Sequence, residues 1–168
     1  MTIHKLVSED NSVFNRTLEP FDFTNPPVDP VEFAKELVEN MRHYNGMGLA
    51  ANQLGFPYRV FAIESETPFV CYNPKVIHES EEQNILVEGC LTYPQLWIKM
   101  KRPDHIRCRF EDPYGVTVTK VFGGYKARCF LHELDHLNGI NYTMRADRFH
   151  LDQARRKQKA LHRKVKAG

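Results

Sequence analysis

The chain has 168 residues, 42% of them hydrophobic and 26% charged, a composition typical of one globular domain. No apolar run approaches the ~20 residues needed to span a bilayer, and the polar start MTIHKLVSED contains no signal-peptide core. These features exclude a membrane-spanning protein and predict a cytoplasmic one. The cysteines are irregularly spaced and are expected to be reduced thiols rather than a disulfide framework: Cys71, Cys90, Cys108 and Cys129.

Charge is unevenly distributed along the chain, although the formal net charge is only +2. Residues 145–168 contain nine Lys/Arg and two Asp, a net charge of +7. Residues 1–144 contain 14 Lys/Arg and 19 Asp/Glu, a net charge of −5. A basic segment attached to an acidic body predicts an anionic partner for that segment.

The first predicted element is a helix that follows an irregular segment, residues 1–27. Asp29 can cap the helix and Pro30 can occupy its first turn, and the helix is predicted to run to about Tyr44. One apolar stripe is expected to face the core: Val31, Ala34, Val38 and Met41. The next segment, NGMGLAANQLG, is too rich in glycine to continue the helix.

Strand-like segments occupy the middle of the chain. They are YRVFAIE, PFVCYNPKVI, NILVEGCLTY, WIKM, HIRCRFED and, after the turn signal DPYG, VTVTKVF. Two helices are predicted to follow, at about Gly124–Asn138, where Gly139 can end the helix, and at about Phe149–Lys166. The order predicts an α+β fold, with small antiparallel sheets packed around a central helix and a second helix at the C-terminus.

The central helix contains the motif LHELDHLNG. His132 and His136 are one turn apart on one helical face and can bind the same metal ion, while Glu133 is placed to transfer a proton. Its opposite stripe is apolar and suited to the core: Phe130, Leu134 and Leu137.

Two histidines alone do not form a catalytic metal site, so a third ligand is needed. One class of metalloprotease has a third histidine further along the motif, where this chain has Tyr142. No glutamate follows Gly139, and only Asp147 and Asp152 remain there as acidic residues. Upstream, Cys90 in LVEGCLTYP offers a thiolate, which with the two imidazoles would leave one coordination position open for water.

Three stretches together resemble the peptide deformylase family, whose members remove the formyl group from the initiator methionine of nascent chains. They are GMGLAANQLG (46–55), EGCLTYP (88–94) and HELDHLNG (132–139), in the family's order and approximate spacing. The family pattern covers roughly residues 30–145. It predicts a metal-dependent deformylase domain over residues 1–148 and a basic helical tail over residues 149–168.

The resemblance implies a role for each polar group of these motifs. Cys90, His132 and His136 would bind the metal, and Glu133 would act as general base and then as general acid. Gln53, through its side chain, and Leu91, through its backbone N–H, would stabilise the oxyanion. Thiolate and imidazole donors suit Fe(II), Zn(II), Ni(II) or Co(II), and Fe(II) is expected in the cell.

The resemblance also predicts how an N-formylmethionyl peptide is held. Gly46, Gly48 and Gly89 would let the peptide approach the backbone and pair with it as an added strand. A pocket for the methionine side chain is expected from four residues: Met47, Leu86, Leu91 and Cys129. Three positions depart from the family pattern: Thr92 replaces a serine, Leu131 replaces a glutamine, and Trp97 stands in place of an arginine.

Two alternative functions are considered. A zinc peptidase sharing HExxH would need a downstream ligand that the sequence lacks. A ribosome- or RNA-binding module with a degenerate metal site would rest on the basic tail, but the set of ligands and proton donors is intact. Bacterial members of the family use a C-terminal helix to bind near the ribosomal exit tunnel, so ribosome binding is expected here too, whereas DNA binding is not.

Overall fold

The computed structural model describes all residues, 1–168, and contains four helices and seven strands. The helices are α1 (Pro30–His43), α2 (Gly124–Leu137), α3 (Tyr142–Arg145) and α4 (Arg148–Ala167). The strands are β1 (Gly48–Ala50), β2 (Val60–Ile63), β3 (Phe69–Glu79), β4 (Gln83–Cys90), β5 (Tyr93–Pro103), β6 (His105–Glu111) and β7 (Thr117–Gly123). A 3-10 turn over Ala51–Leu54 follows β1.

The strands form two antiparallel sheets. The larger has the order β1-β2-β3-β6-β7, and β4 pairs only with β5 in a separate hairpin. The predicted α+β fold is therefore confirmed. Four details differ from the sequence prediction. The glycine-rich segment contains the short strand β1, and β4 ends at Cys90, so that Leu91 and Thr92 form the hairpin turn. The predicted strand WIKM is part of the longer β5, and the short helix α3 was not predicted.

The larger sheet separates two hydrophobic clusters, because successive side chains of a strand point to opposite faces. On one face, Phe61 and Cys71 pack with Phe130 of α2. On the other, Ala62 and Val70 pack with α1. Helix α2 is also hydrogen-bonded to the β4–β5 hairpin, so it lies between the two sheets, as predicted for the central helix.

Helix α1 begins as the sequence predicts. The Asp29 carboxylate accepts hydrogen bonds from the N–H groups of Val31 and Glu32, at 2.9 and 3.0 Å. The predicted apolar stripe is rotated, because Val31 and Val38 are only half-buried. The fully buried apolar residues are Phe33, Ala34, Leu37 and Met41, which face the larger sheet.

The N-terminal segment, residues 1–27, contains no helix or regular strand, as predicted, yet it is firmly attached to the domain. Phe14 and Leu18 are buried, and the Leu18 N–H donates to the Leu137 carbonyl at 2.9 Å. Thr17 forms a β-bridge with Asn138. The segment therefore covers the C-terminal end of α2.

Helix α4 packs on the domain only through its first half. Ala154 is buried against β5, and the Gln158 amide, which interrupts the apolar stripe, donates to the Pro94 carbonyl at 3.0 Å. Every residue after Gln158 is exposed, including Leu161 and Val165. Neither this helix nor any other is long and apolar enough to cross a membrane.

Replacing Gly139 should destabilise the fold more than replacing Gly124. Both glycines have positive φ, 70° and 57°, where alanine is strained by about 1–2 kcal/mol. An added Cβ at Gly139 would also lie 2.9 Å from the Arg16 backbone, whereas an added Cβ at Gly124 would have no atom within 4 Å. We expect Gly139→Ala to lower the free energy of unfolding by about 2–4 kcal/mol and Gly124→Ala by about 1–2, measured by urea denaturation. Equal losses of unfolding free energy in the two variants would show that the Arg16 backbone shifts to accommodate the added Cβ without an energetic cost.

Candidate metal centre and active-site cleft

Three side chains from distant parts of the chain converge beside α2. Cys90 ends β4, and His132 and His136 lie one turn apart on the buried part of α2. The His136 Nε2 atom is 3.1 Å from His132 Nε2 and 3.4 Å from Cys90 Sγ, and the three donor atoms all lie within 4.8 Å of one another.

These separations fit a bound transition metal. Bonds of roughly 2.0–2.1 Å to nitrogen and 2.3 Å to sulfur place tetrahedral ligands about 3.3 Å (N to N) and 3.6 Å (N to S) apart. The corresponding distances between the two Nε2 atoms and from His136 Nε2 to Cys90 Sγ are 3.1 and 3.4 Å. The three donors are therefore spaced to hold one divalent metal, and two of them, Cys90 and His132, line the cleft.

A buried carboxylate orients the first histidine. Glu88 Oε1 lies 2.8 Å from His132 Nδ1, which directs Nε2 toward the other two donors. Arg102 contacts both Glu88 oxygens, at 2.6 and 2.8 Å, and Arg128 contacts Oε2 at 2.7 Å. Burial alone would raise the pKa of Glu88, but hydrogen bonds from Arg102 and His132 hold it well below the usual range.

Arg102 extends this network to a second residue of α2. Its Nη1 donates to Asp135 Oδ2 at 3.0 Å, and Asp135 also accepts from Arg145 of α3. No local signal in the sequence assigns these residues a role, because their pairing exists only after β5, α2 and α3 have come together. Glu88 lies within the quoted motif EGCLTYP, and its place two residues before Cys90 was the one available signal.

The second histidine is positioned through its backbone and the face of its ring. The Asn52 amide donates to the His136 carbonyl at 2.7 Å, and the Phe14 ring lies 5.1 Å from the imidazole, centroid to centroid. His136 Nδ1 is buried and has no hydrogen-bond partner. Asn52 and Phe14 were also missed, although Asn52 immediately precedes the predicted Gln53.

Gln53 points its amide group toward the donor cluster. Its Oε1 accepts from the Ala50 N–H at 2.9 Å, which turns Nε2 toward Cys90 Sγ, 3.6 Å away. The same Nε2 donates to the Thr92 hydroxyl at 3.1 Å. Thr92, where the family pattern has serine, thus supplies the hydroxyl that fixes the amide.

Glu133 is buried, and its Oε2 has no hydrogen-bond partner in the protein. Burial raises the pKa of its carboxyl to about 7, although the His132 ring acts in the opposite direction. The carboxylate packs against Gly48, where an added Cβ would lie 2.6 Å from Oε1. A glycine at this position therefore leaves the space that the carboxylate occupies.

A cleft of about 320 Å³ opens over the donor cluster. It lies between β1 and β4, each of which pairs with only one strand and so has one free edge. Of the residues predicted from the sequence, the following line it: Gly46, Met47, Gly48, Gln53, Gly89, Cys90, Leu91, Cys129, His132 and Glu133. His136 lies among the metal donors behind the cleft. Leu86 does not line it, whereas Val87, one residue closer to Cys90, does.

Cys129 differs in character from Cys90. Burial raises the pKa of the Cys129 thiol to about 12, and the Glu133 carboxylate adds to that effect. The side chain is therefore an uncharged thiol at neutral pH and suits an apolar lining rather than a metal ligand.

Comparison with known proteins gives one consistent family. Residues 3–152 match the family model described as polypeptide deformylase. A peptide deformylase of Bartonella henselae is 31% identical over 157 residues, which cover 88% of each chain. A peptide deformylase of Thermotoga petrophila is 37% identical over 107 residues, and the match spans 63% of this chain and 65% of that relative.

Solved structures show the same fold. A peptide deformylase from Synechococcus elongatus in complex with actinonin superposes with a TM-score of 0.84 at 26% identity, covering 93% of this chain and 88% of that one. A peptide deformylase from Thermotoga maritima gives a TM-score of 0.80 at 28% identity, covering 88% of this chain and 99% of that one.

Glu88→Gln should weaken both metal binding and stability, because it leaves Arg102 and Arg128 buried without a full counter-charge. We expect a loss of about 3–5 kcal/mol in the free energy of unfolding and about 10–100-fold weaker metal affinity. Chemical denaturation and metal competition with a chelator measure the two effects.

Glu64→Gln is the matched control, because both Glu64 oxygens accept hydrogen bonds from one arginine, Arg42, but near the protein surface. It should cost less than ~1 kcal/mol and leave metal affinity unchanged. A Glu88 variant no worse than this control would contradict the role of the buried network.

Proposed function

Since the chain belongs to the polypeptide deformylase family, we propose that it removes the N-formyl group from the initiator methionine of nascent polypeptides and releases formate. The observation that carries the proposal is the convergence of Gln53, Cys90, His132 and Glu133 on one cleft, with His136 directly behind it beside Cys90 and His132. The protein would act in N-terminal methionine processing during protein biosynthesis. Four free cysteines are consistent with a reducing, cytoplasmic location.

We propose that Cys90, His132 and His136 hold one divalent metal. When bound, the metal supplies Lewis acidity, which makes water a competent nucleophile near neutral pH. The mixed thiolate and imidazole donors support Fe(II) as the metal in the cell, and they also suit Zn(II), Ni(II) and Co(II). Glu88 keeps the lone pair of His132 Nε2 directed at the metal position.

Glu133 is the proposed proton carrier. Its unpartnered oxygen is free to accept a proton from the water that attacks the formyl carbon. It then donates that proton to the amine nitrogen as the C–N bond breaks. A carboxyl pKa near the working pH suits both transfers.

Two donors are proposed to stabilise the negative charge on the formyl oxygen. Gln53 Nε2 is held beside Cys90 by hydrogen bonds at both ends of its amide. The backbone N–H of Leu91, in the turn that follows Cys90, is the second. Donors fixed before the reaction need no reorientation as charge develops.

The free edges of β1 and β4 offer an extended peptide backbone pairing on both sides. Gly46, Gly48 and Gly89 keep these edges accessible. Met47, Leu91 and Cys129 are the proposed lining for the methionine side chain, and Leu86 is left without a contact to the cleft.

The alternative of a zinc peptidase receives no support from the region after α2. Tyr142, which stands where one metalloprotease class has a histidine, is buried, and its hydroxyl donates to the Leu96 carbonyl at 2.6 Å. The alternative of a binding module with a degenerate metal site is disfavoured by the close spacing of the three donors.

Two variants separate metal binding from proton transfer. Glu133→Gln should bind the metal stoichiometrically but lose at least ~10²-fold in kcat, because only the proton carrier is removed. Cys90→Ser should lose metal affinity as well as activity, because the thiolate donor is gone. Metal content and formate release from a formyl-Met peptide are measured for both. Near-normal turnover by Glu133→Gln would reject its role, and wild-type metal affinity in Cys90→Ser would reject the ligand set.

We also propose that the tail, residues 149–168, docks the enzyme on the ribosome. The support is the free end of α4 beyond Gln158, where Lys159, Arg163 and Lys164 project into solvent on a helix anchored to β5. Such a cationic helix matches the phosphates of ribosomal RNA, and counterion release would dominate its binding.

Charge reversal at Lys159, Arg163 and Lys164 tests this proposal without disturbing the packed half of α4. Ribosome co-sedimentation at low salt should weaken by at least ~10-fold, while formate release from a short free peptide is unchanged. Arg107→Glu combined with Lys120→Glu, two exposed cations on the larger sheet, is the control and should bind as wild type does. Unchanged co-sedimentation of the tail variant would reject the proposal.

A further inference from the structure

The mouth of the cleft has an exposed apolar rim, and of its residues only Met47 has a role in the proposed function. Met47, Val87, Trp97 and Tyr125 all line the cleft, and their side chains are between 44% and 63% exposed. They come from three separate elements, the segment before β1, the β4–β5 hairpin and the start of α2. Large apolar side chains that converge from several elements on one opening indicate a binding surface.

This rim has no charged side chain. The charged residues that line the cleft are Glu88, Arg128 and Glu133, and each is at most 5% exposed. Glu88 and Arg128 are also paired with each other. The groups that line the mouth are therefore apolar or neutral polar, and Lys99, the cross-strand neighbour of Val87, lies outside this lining.

Trp97 is held in a defined position at this mouth. Its side chain is on the outward-facing side of β5, and its ring covers Gly89 of β4, where an added Cβ would lie within 2.8 Å of three ring carbons. Gly89 is the residue directly before the metal donor Cys90. The indole therefore lies over Gly89, next to the proposed reaction centre, with most of its surface open.

We infer that Trp97 is a specificity-determining residue, which selects substrates with an apolar or aromatic side chain at one of the two positions after the formylated methionine. The inference rests on the proposed function. With the formyl group at the metal donors, a peptide extended along the β4 edge passes Gly89 within its next residues. A fixed aromatic surface there gains free energy by covering an apolar side chain and gains none from an acidic one.

Two peptide series test the inference through kinetics. In formyl-Met-X-Ala and formyl-Met-Ala-X, X is Ala, Phe or Asp. We expect the wild-type kcat/KM for Phe to exceed that for Ala by about five- to tenfold in one series, mostly through KM. Trp97→Ala should bring this ratio close to one, and Trp97→Phe should retain most of it.

Ile85→Ala is the matched control. Ile85 is an equally exposed apolar residue on the same hairpin, but it does not line the cleft. The ratio of kcat/KM for Phe to that for Ala should keep its wild-type value in this variant. A wild-type ratio near one in both series, or a ratio that survives in Trp97→Ala, would overturn the inference.

Fluorescence gives a second measurement that needs no turnover, because Trp97 is the only tryptophan in the chain. In the Glu133→Gln protein, the preferred Phe peptide should shift the emission to shorter wavelength at saturation, and the Ala peptide should do so much less. If the Phe and Ala peptides shift the emission equally at saturation, the inference is overturned, even if the wild-type protein releases formate. Conversely, no formate release from any peptide by the metal-loaded wild type would reject the proposed function, whatever the fluorescence shows.

Discussion

The buried carboxylate of Glu88 is the interaction on which the site depends. Its oxygens contact Arg102, Arg128 and His132, so one side chain joins the hairpin to the central helix. Removing a carboxylate from water costs several kcal/mol, and only a complete set of partners offsets that cost. The same arrangement fixes which nitrogen of His132 bears its proton, and so which nitrogen is free to bind a metal. The same carboxylate therefore stabilises the fold and orients the histidine.

Two glycines shape the cleft, because each leaves space for the side chain of a neighbouring residue. Gly48 leaves room for the Glu133 carboxylate, and Gly89 leaves room for the Trp97 ring. In both cases a methyl group would occupy space already taken by a neighbouring side chain. The cleft between the two free strand edges therefore has a buried acid beside one edge and an exposed aromatic ring beside the other.

The sequence predicted the features that depend on neighbouring residues, but not those that depend on contacts between distant parts of the chain. The cap at Asp29 and the stop at Gly139 placed two helices to within a residue or two, because capping acts between neighbours in the chain. The motif EGCLTYP singled out Cys90 among four cysteines, and the structure brings it to the two histidines. The partners of Glu88 and the contact of Phe14 with His136 could not be read from the sequence, because nothing local distinguishes a buried arginine or phenylalanine that supports a site from one that fills a core.

The attachment of the N-terminal segment has a consequence for folding. Phe14 packs against His136, and Thr17 is hydrogen-bonded to the Asn138 carbonyl, 121 residues further along the chain. Contacts between such distant residues form only after the entropy of closing a long loop has been spent, which makes them slow to appear. The surroundings of His136 are therefore complete only when the N-terminal segment has docked on α2. Metal capture then reports arrival at the native state, and a bound ion draws the folding equilibrium toward it by mass action.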